Sequence, residues 1–213
     1  MKLKLYTRYI NSAGQRVRTA LNIKGVDYEY VPVTLDDGPP EAYGAVNPQA
    51  LLPSLEVDGR IVTQSTALIE FIEETFDGPS LFPEDPVNRA CARAFGQVIA
   101  CEMHALGVGR VLKHLKTAHG QGDADGDAWY THWSHKGYET LEALLHRRKE
   151  PLPFTYDDKP TVGDIYLVPK LYNARLRKLD LSPYPLLTEI DERCCALPAF
   201  DKAMPENQPD HPG

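Results

Sequence analysis

The stretch of sequence that decides the fold is NPQALLPSLEVDGRIVTQSTALIE, residues 47–70. Inside it, two short runs rich in apolar and β-branched residues, 54–57 and 60–62, flank Asp58-Gly59. An Asp-Gly pair between such runs is the strongest short-range signal for a β-hairpin. A helix is predicted from Ser65 to Thr75, because apolar residues recur there at helical spacing. This part of the chain therefore has the order β-β-α.

The residues before this stretch predict a β-α-β crossover. Residues 3–6 and 28–33 have strand character. Between them, apolar residues recur at helical spacing up to Gly25, which is a typical helix stop. A parallel crossover followed by a hairpin implies a mixed sheet that is covered by helices. The first part of the chain is therefore predicted to be a small α/β domain.

The rest of the chain predicts helices. The proline-rich segment 77–86 is typical of a linker. We place the α/β domain at 1–79, the linker at 80–86 and an all-helical domain at 87–213. The fold class is thus α/β plus all-α. The polar tail after Pro205 is expected to fray.

Within the second domain, apolar spacing predicts one long helix over 89–119 and another over 128–148. The Gly- and Asp-rich segment 120–127 between them is predicted to be a flexible loop. A further helix begins at Thr161, with Asp164 in the position of a capping box.

Composition and charge exclude several classes of protein. The chain has 213 residues, with 23 Lys and Arg against 30 Asp and Glu, so the formal net charge is 23 − 30 = −7. An acidic balance argues against binding nucleic acid. There is no apolar run of the roughly 18 residues that a membrane helix needs, and no signal-peptide pattern at the start. None of the four cysteines forms a C-x-x-C pair. We therefore expect a cytoplasmic protein.

Two catalytic patterns receive little support. The G-x-S-x-G pattern of Ser–His–Asp hydrolases is absent from the sequence. His132 and His135 have an i, i+3 spacing that a metal site can use, but an exposed helix face explains this spacing better. We predict no metal.

Three turns are candidates for binding a ligand. A cis peptide at Leu52-Pro53 would leave the Leu52 main chain free to pair with an extended peptide, although an ordinary trans turn fits as well. The helix that starts at Ser65 could hold a carboxylate at its N-terminus, with Gln64 as an added donor. Asn11 and Ser12 precede the first helix, where a hydroxyl or amide could stabilise a thiolate. Helix capping is the alternative explanation for both helix starts.

Main-chain, carboxylate and thiolate contacts are those that glutathione requires, and the chain resembles the cytosolic glutathione transferases. It is most similar to the zeta class, the maleylacetoacetate and maleylpyruvate isomerases. The resemblance covers nearly the whole chain. It is carried by residues 47–55, 58–59 and 64–70, and also by 16–18, 81–83, 161–169 and 181–185.

The resemblance implies a fold and a glutathione site. The first domain would be thioredoxin-like, with a mixed four-stranded sheet, and the protein would be a homodimer. Pro53 would be the cis-proline, and Leu52 would bind the glutathione cysteine through its main chain. Gln64 and Ser65 would hold the γ-glutamyl end, and His104 would also contact the cofactor. Ser12, assisted by Asn11, would stabilise the thiolate.

The resemblance also implies how substrate is held, and here the sequence departs from the family pattern. Arg8, Arg110 and Arg175 are the predicted substrate contacts, with Arg110 serving an anionic group. The zeta Ser-Ser-Cys motif reads Asn11-Ser12-Ala13, and Ile10 and Leu176 occupy positions where zeta enzymes carry arginine. A loop position that usually offers Gln or His to glutathione falls near Gly38. An exposed helix surface is the alternative for His104 and Arg110.

The predicted activity is glutathione-dependent cis–trans isomerisation of a conjugated enone. The substrate would be similar to maleylacetoacetate or maleylpyruvate, or a related, less charged compound, because the arginine clamp is altered. Two alternatives stay open at this point. One is a transferase or dehalogenase that conjugates glutathione to an electrophile. The other is a glutathione-binding protein without turnover, which the changed Asn11-Ser12-Ala13 turn motivates.

Overall fold

Two units make up the protein in a computed structural model, which describes residues 1–34, 41–120 and 122–213. The first unit comprises Met1–Leu81 together with Cys195–Gly213, and the second comprises Phe82–Cys194. The second unit begins within the predicted linker. The C-terminal segment, which the predicted boundaries assigned to the helical domain, groups with the first unit.

The first unit contains a four-stranded mixed sheet, as predicted. Its strands are β1 (Leu3–Thr7), β2 (Glu29–Pro32), β3 (Ser54–Val57) and β4 (Arg60–Thr63), in the order β2-β1-β3-β4. β1 and β2 are parallel, whereas β3 is antiparallel to both β1 and β4. The side chains of Leu3 and Leu5 are buried, which fits a strand with one face on the core.

Helices pack on this sheet. α1 (Ser12–Lys24) makes the parallel crossover and ends at Gly25, whose φ of 66° closes the helix in the left-handed conformation. α3 (Ser65–Thr75) follows the hairpin and packs against α1. A short α2 (Glu41–Val46) lies between β2 and β3 and was not predicted. It has too few residues to show a clear apolar period.

The C-terminal tail is ordered, so the prediction that it frays is wrong. A short helix, Pro198–Asp201, packs against α1, and a 3₁₀ turn follows at Pro205–Asn207. Phe200 and Ala203 are buried. The side chain of Asp210 accepts hydrogen bonds from the Tyr9 amide and the Tyr30 hydroxyl. These buried residues and hydrogen bonds hold the tail in place, although its sequence is polar.

The second unit is helical, as predicted, but its helices are divided differently. The elements are α4 (Pro86–Gln97), a π-helical segment (Val98–His104), α5 (Ala105–Gly107), α6 (Gly109–His119), α7 (Asp123–His146), α8 (Val162–Leu176) and α9 (Pro185–Cys195). The single helix predicted over 89–119 is therefore wrong: the backbone turns extended at Val108, between two glycines. α7 begins at Asp123, inside the predicted loop, because Asp123 and Asp125 favour a helix N-terminus. No helix in the described residues is long and apolar enough to cross a membrane.

The predicted cap at the start of α8 is confirmed. The buried Asp164 carboxylate accepts hydrogen bonds from the main-chain amides of Thr161 at 2.8 Å and Thr155 at 3.0 Å. Burial raises the pKa of Asp164 to about 6, and these hydrogen bonds oppose the rise. A buried carboxylate thus fixes the segment that leads into α8.

Candidate active site

Three turns meet at one end of the sheet of the first unit. In the strand register, Tyr6 near the end of β1 pairs with Ser54 at the start of β3, and Ser54 pairs with Thr63 at the end of β4. The β1–α1 turn, the Leu52-Pro53 step and the Gln64-Ser65 step therefore lie at the same edge. Strand register thus brings together the three turns that the sequence predicts as ligand contacts.

The β1–α1 turn ends in a capped helix. Asn11 is the N-cap of α1: its Oδ1 accepts a hydrogen bond from the Gly14 amide at 2.5 Å. Because that oxygen is engaged, the donors that Asn11 can offer are those of its Nδ2 group. Ser12 opens the helix and is 7% exposed. The first turn of α1 carries no acidic residue, so its positive end is not neutralised from within.

The Leu52-Pro53 peptide is cis in the structure, so the trans alternative does not apply. The turn before it is fixed by two donors to the Leu51 carbonyl, the Tyr43 hydroxyl at 2.9 Å and Asn47 Nδ2 at 2.7 Å. The Leu52 side chain is buried against Val33 and Tyr43. Within the described part of the chain, the main-chain amide and carbonyl of Leu52 have no hydrogen-bond partner. Both groups are therefore suited to pair with an extended peptide.

The third turn starts α3. Ser65 is the first residue of the helix, as predicted, and Gln64 is its N-cap residue. Gln64 has φ 72° and ψ 115°, a left-handed conformation that side chains rarely adopt and that clusters at functional sites. Its Nε2 donates to Gln49 Oε1 at 2.6 Å. Ser65 is buried, with 8% of its surface exposed.

A buried arginine lies behind this helix start. Arg16 is 1% exposed, and its Nη1 donates to the Ser65 hydroxyl at 3.3 Å. The first turn of α3 has no acidic residue. A buried guanidinium next to the positive end of a helix strengthens the attraction for an anion. Sequence reasoning did not assign Arg16 to the site. A signal existed, because an arginine on the apolar side of a helix requires a specific polar partner.

Arg8 borders a cavity of about 250 Å³ in the first unit, which Asp210 and Pro212 of the C-terminal tail also line. Its guanidinium lies over the ring of Tyr9, 5.5 Å from the centroid. The positively charged Arg8 side chain therefore lies beside a cavity, and it is close in sequence to Ser12. The substrate role of Arg8 stays a prediction.

The other predicted contacts lie in the second unit. His104 is the last residue of the π-helical segment, and Arg110 is exposed in the first turn of α6. Arg175 donates to the buried carboxylate of Asp191 at 2.5 Å, so its guanidinium already has an acidic partner. Their roles toward glutathione or substrate stay predictions. The loop position near Gly38 lies outside the described residues.

The comparisons with known proteins agree with this geometry. Residues 5–80 match the family description "Glutathione S-transferase, N-terminal domain". A curated maleylpyruvate isomerase from Ralstonia sp. is 38% identical over 98% of this chain and 99% of its own length. Among solved structures, a holo bacterial maleylpyruvate isomerase of the zeta class aligns with a TM-score of 0.94 at 38% identity, over 97% of this chain and 99% of that one.

A second solved structure is a maleylacetoacetate isomerase from Methylobacterium extorquens AM1 with bound malonate and glutathione. It aligns with a TM-score of 0.94 at 35% identity, over 99% of this chain and all of its own. The fold and the three turns thus define a glutathione transferase. Within that class, the chain belongs to the zeta family of maleylpyruvate and maleylacetoacetate isomerases.

Proposed function

We propose that the protein is a glutathione-dependent isomerase that converts the cis double bond of a conjugated enone to trans. One observation carries the proposal: strand register places the positive ends of α1 and α3 and the main chain of Leu52 at one edge of the sheet. The substrate class follows from the relatives, which are named for maleylpyruvate and maleylacetoacetate, and one of which holds malonate.

Glutathione fits the residues at this edge. Its γ-glutamyl carboxylate would bind at the start of α3, where Ser65 and Gln64 offer donors and the buried Arg16 adds positive charge. Its extended main chain would pair with the amide and carbonyl of Leu52. Its sulfur would lie at the start of α1, near Ser12 and the Nδ2 group of Asn11. Each part of the tripeptide thus meets a group of matching chemistry.

When bound, glutathione supplies a thiolate that adds reversibly to the double bond and so permits rotation about it. The protein binds, orients and polarises. The Ser12 hydroxyl donates to the sulfur and favours its ionised form, and the positive end of α1 acts in the same direction. Arg110 would stabilise the negative charge that develops on the substrate oxygen. Arg8 would hold a substrate carboxylate, which suits the fixed donor geometry of a guanidinium.

Substrate selection depends on the arginines. Ile10 and Leu176 stand where the family pattern has arginine, and Arg175 is engaged by Asp191. With fewer cations at the site, the protein should accept a substrate that carries fewer carboxylates than maleylacetoacetate. A homodimeric assembly and a cytoplasmic location complete the proposal, since both follow from the resemblance to the family.

Mass spectrometry of the reaction tests the proposal. Purified protein is first titrated with glutathione by calorimetry, and then incubated with glutathione and a panel of cis-enones that includes maleylpyruvate and compounds with a single carboxylate. The proposal predicts saturable binding, a product with the mass of the substrate, and no net consumption of glutathione. A product heavier by one glutathione would identify a conjugating transferase. Binding without turnover would identify a glutathione-binding protein, and absence of binding would overturn the site itself.

The roles of Ser12 and Asn11 are tested by alanine variants. Ser12→Ala is expected to lower kcat by about 10² or more, the usual effect of removing one preorganised donor from a developing charge. Asn11→Ala is expected to lower stability by about 1 kcal/mol, because it removes the N-cap of α1. The measurements are kcat and the thermal unfolding midpoint of each variant. Full turnover by Ser12→Ala would transfer the activating role to Asn11 or to the end of the helix.

A further inference from the structure

A buried arginine ties the β1–α1 turn to the C-terminal segment. Arg18 is fully buried, and its guanidinium donates to the carbonyl of Arg8 at 3.1 Å, the carbonyl of Tyr9 at 3.1 Å and the hydroxyl of Thr7 at 3.2 Å. The same group donates to the carbonyl of Ala203 at 3.0 Å. One planar group with several donors in a fixed geometry thus joins the two segments.

An aspartate in the tail holds the same turn from a second direction. Asp210 Oδ2 accepts a hydrogen bond from the Tyr9 amide at 3.1 Å, and Oδ1 accepts one from the Tyr30 hydroxyl at 2.6 Å. The neighbouring His211 packs its ring edge-on against the ring of Tyr9, with centroids 5.3 Å apart. Burial first, and the bond to Asp210 second, raise the pKa of Tyr30, so its phenol stays protonated as a donor.

These contacts fix the backbone immediately before the predicted thiolate site. β1 ends at Thr7, so Tyr9 lies beyond the sheet ladder, and its main-chain groups must find other partners. The Arg18 guanidinium holds its carbonyl, and the Asp210 carboxylate holds its amide. Asn11 and Ser12 follow within three residues. Their placement therefore depends on the side chains of Arg18 and Asp210, which hold the backbone of Tyr9.

We propose that Asp210 and Arg18 are positioning residues of the reaction, which hold the β1–α1 turn so that Ser12 and Asn11 face the glutathione sulfur. The inference rests on the proposed function. It assigns to the C-terminal tail a part in activating the thiol, in addition to its part in the packing of the first unit. A catalytic group that is misplaced by about 1 Å, through a change far from the chemistry, can lose about 10² in rate.

The test uses variants of the full-length protein. Asp210→Ala removes both acceptors, Asp210→Asn retains one oxygen for the Tyr9 amide, and Tyr30→Phe removes only the second donor. Lys202→Ala, an exposed side chain in the same tail, is the matched control. For each variant, four quantities are measured: the thermal unfolding midpoint, the pKa of the bound thiol from the ultraviolet absorbance of the thiolate, kcat, and KM for glutathione.

We expect Asp210→Ala to raise the pKa of the bound thiol toward its free value of about 8.5 and to lower kcat about tenfold. KM for glutathione should change less, because the contacts at Leu52 and Ser65 are untouched. Asp210→Asn and Tyr30→Phe should fall between Asp210→Ala and the wild type, and Lys202→Ala should match the wild type. If Asp210→Ala does not fold, Tyr30→Phe decides the question by the same two readouts.

The contrary result is equally definite. Folded Asp210→Ala or Tyr30→Phe protein with an unchanged thiol pKa and kcat overturns the positioning role, even if its unfolding midpoint falls, since a lower midpoint alone reports packing. Wild-type protein that binds no glutathione would overturn the proposed function and this inference together. Glutathione binding by the wild-type protein therefore distinguishes a failure of this inference from a failure of the proposed function.

Discussion

Gly14 sits where the first turn of α1 comes closest to the end of β1. A Cβ at this position would lie 2.1 Å from the Thr7 hydroxyl and 2.7 Å from Asn11 Oδ1. Both neighbours are engaged, since Thr7 accepts from Arg18 and Asn11 caps the helix through the Gly14 amide. The space beside the cap therefore requires a residue without a side chain.

Gly14→Ala is expected to displace the Asn11 cap and the Thr7 side chain together. The free energy of unfolding should fall by about 1–3 kcal/mol, as in other overpacked sites, and kcat should fall with it because Ser12 lies in the same first turn of α1. Denaturant unfolding and steady-state kinetics measure the two effects. Gly44→Ala is the matched control, because a Cβ there meets nothing within 4 Å. Equal losses in both variants would refute the steric argument.

At the level of single residues, the sequence predicted the three ligand-binding turns better than the buried arginines that hold them in place. Asn11 and the Leu52-Pro53 step stand out by residue type, because short polar caps and X-Pro pairs have few structural meanings. Arg16 and Arg18 do not stand out by residue type, since an arginine on a helix is usually exposed. The position of Arg16 among apolar residues was a signal, but its polar partner, like those of Arg18, is brought to it by tertiary structure. The backbone conformation of Gln64 was not predicted for a related reason, since a positive φ at glutamine is set by tertiary structure.

Among the elements, α8 depends on a buried carboxylate whose ionisation should affect stability. Burial raises the pKa of Asp164 to about 6, above the value of about 3.9 in an unfolded chain. The folded state therefore binds this proton more tightly than the unfolded state. The resulting contribution to stability is complete below about pH 4 and is lost as the pH rises through about 6.

In the wild type, the part of the unfolding free energy that comes from Asp164 should decline between pH 4 and 6, by at most about 1.4 kcal/mol per pH unit. Asp164→Asn should lack that decline, while being less stable near neutral pH because the amide offers one acceptor oxygen instead of two. Urea unfolding across this range measures both. Asp85→Asn, at the exposed N-cap of α4, should keep the wild-type slope. A wild-type slope that persists in Asp164→Asn would contradict the assignment.

Element boundaries show what periodicity can and cannot reveal. The capping pair Thr161 and Asp164 marks α8 by local chemistry, and it was predicted correctly. Residues 98–104 are π-helical, yet their apolar residues still recur at roughly helical spacing. Apolar spacing alone therefore does not distinguish a short π-helical segment from an α-helix. The break at Val108 had a signal in its flanking glycines, which the continuous spacing outweighed.

On the scale of the whole molecule, the first unit uses both ends of the chain. The matched family domain spans residues 5–80, yet Cys195–Gly213 groups with Met1–Leu81. The tail supplies the buried Phe200 and Ala203, and its Asp210 carboxylate accepts from Tyr9 and Tyr30. Sequence reasoning placed the boundary at 79, because a polar tail carries no periodic signal. Its order comes from contacts with residues 180 and 201 positions away in the chain.

A fragment of residues 1–81 should therefore be less stable than the same fragment joined by a flexible linker to 195–213. Without the tail, the buried Arg18 guanidinium loses the Ala203 carbonyl, and α1 loses the packed helix that carries the buried Phe200. Burying one Phe contributes about 1.5–3 kcal/mol, and an unsatisfied buried donor costs about 1–3 kcal/mol, so the difference should reach about 3 kcal/mol or more. Thermal unfolding followed by circular dichroism measures it. A third fragment with a scrambled tail controls for added length, because only the native order places Ala203 against Arg18. If all three fragments unfold at the same temperature, residues 195–213 do not stabilise the first unit, and the prediction is wrong.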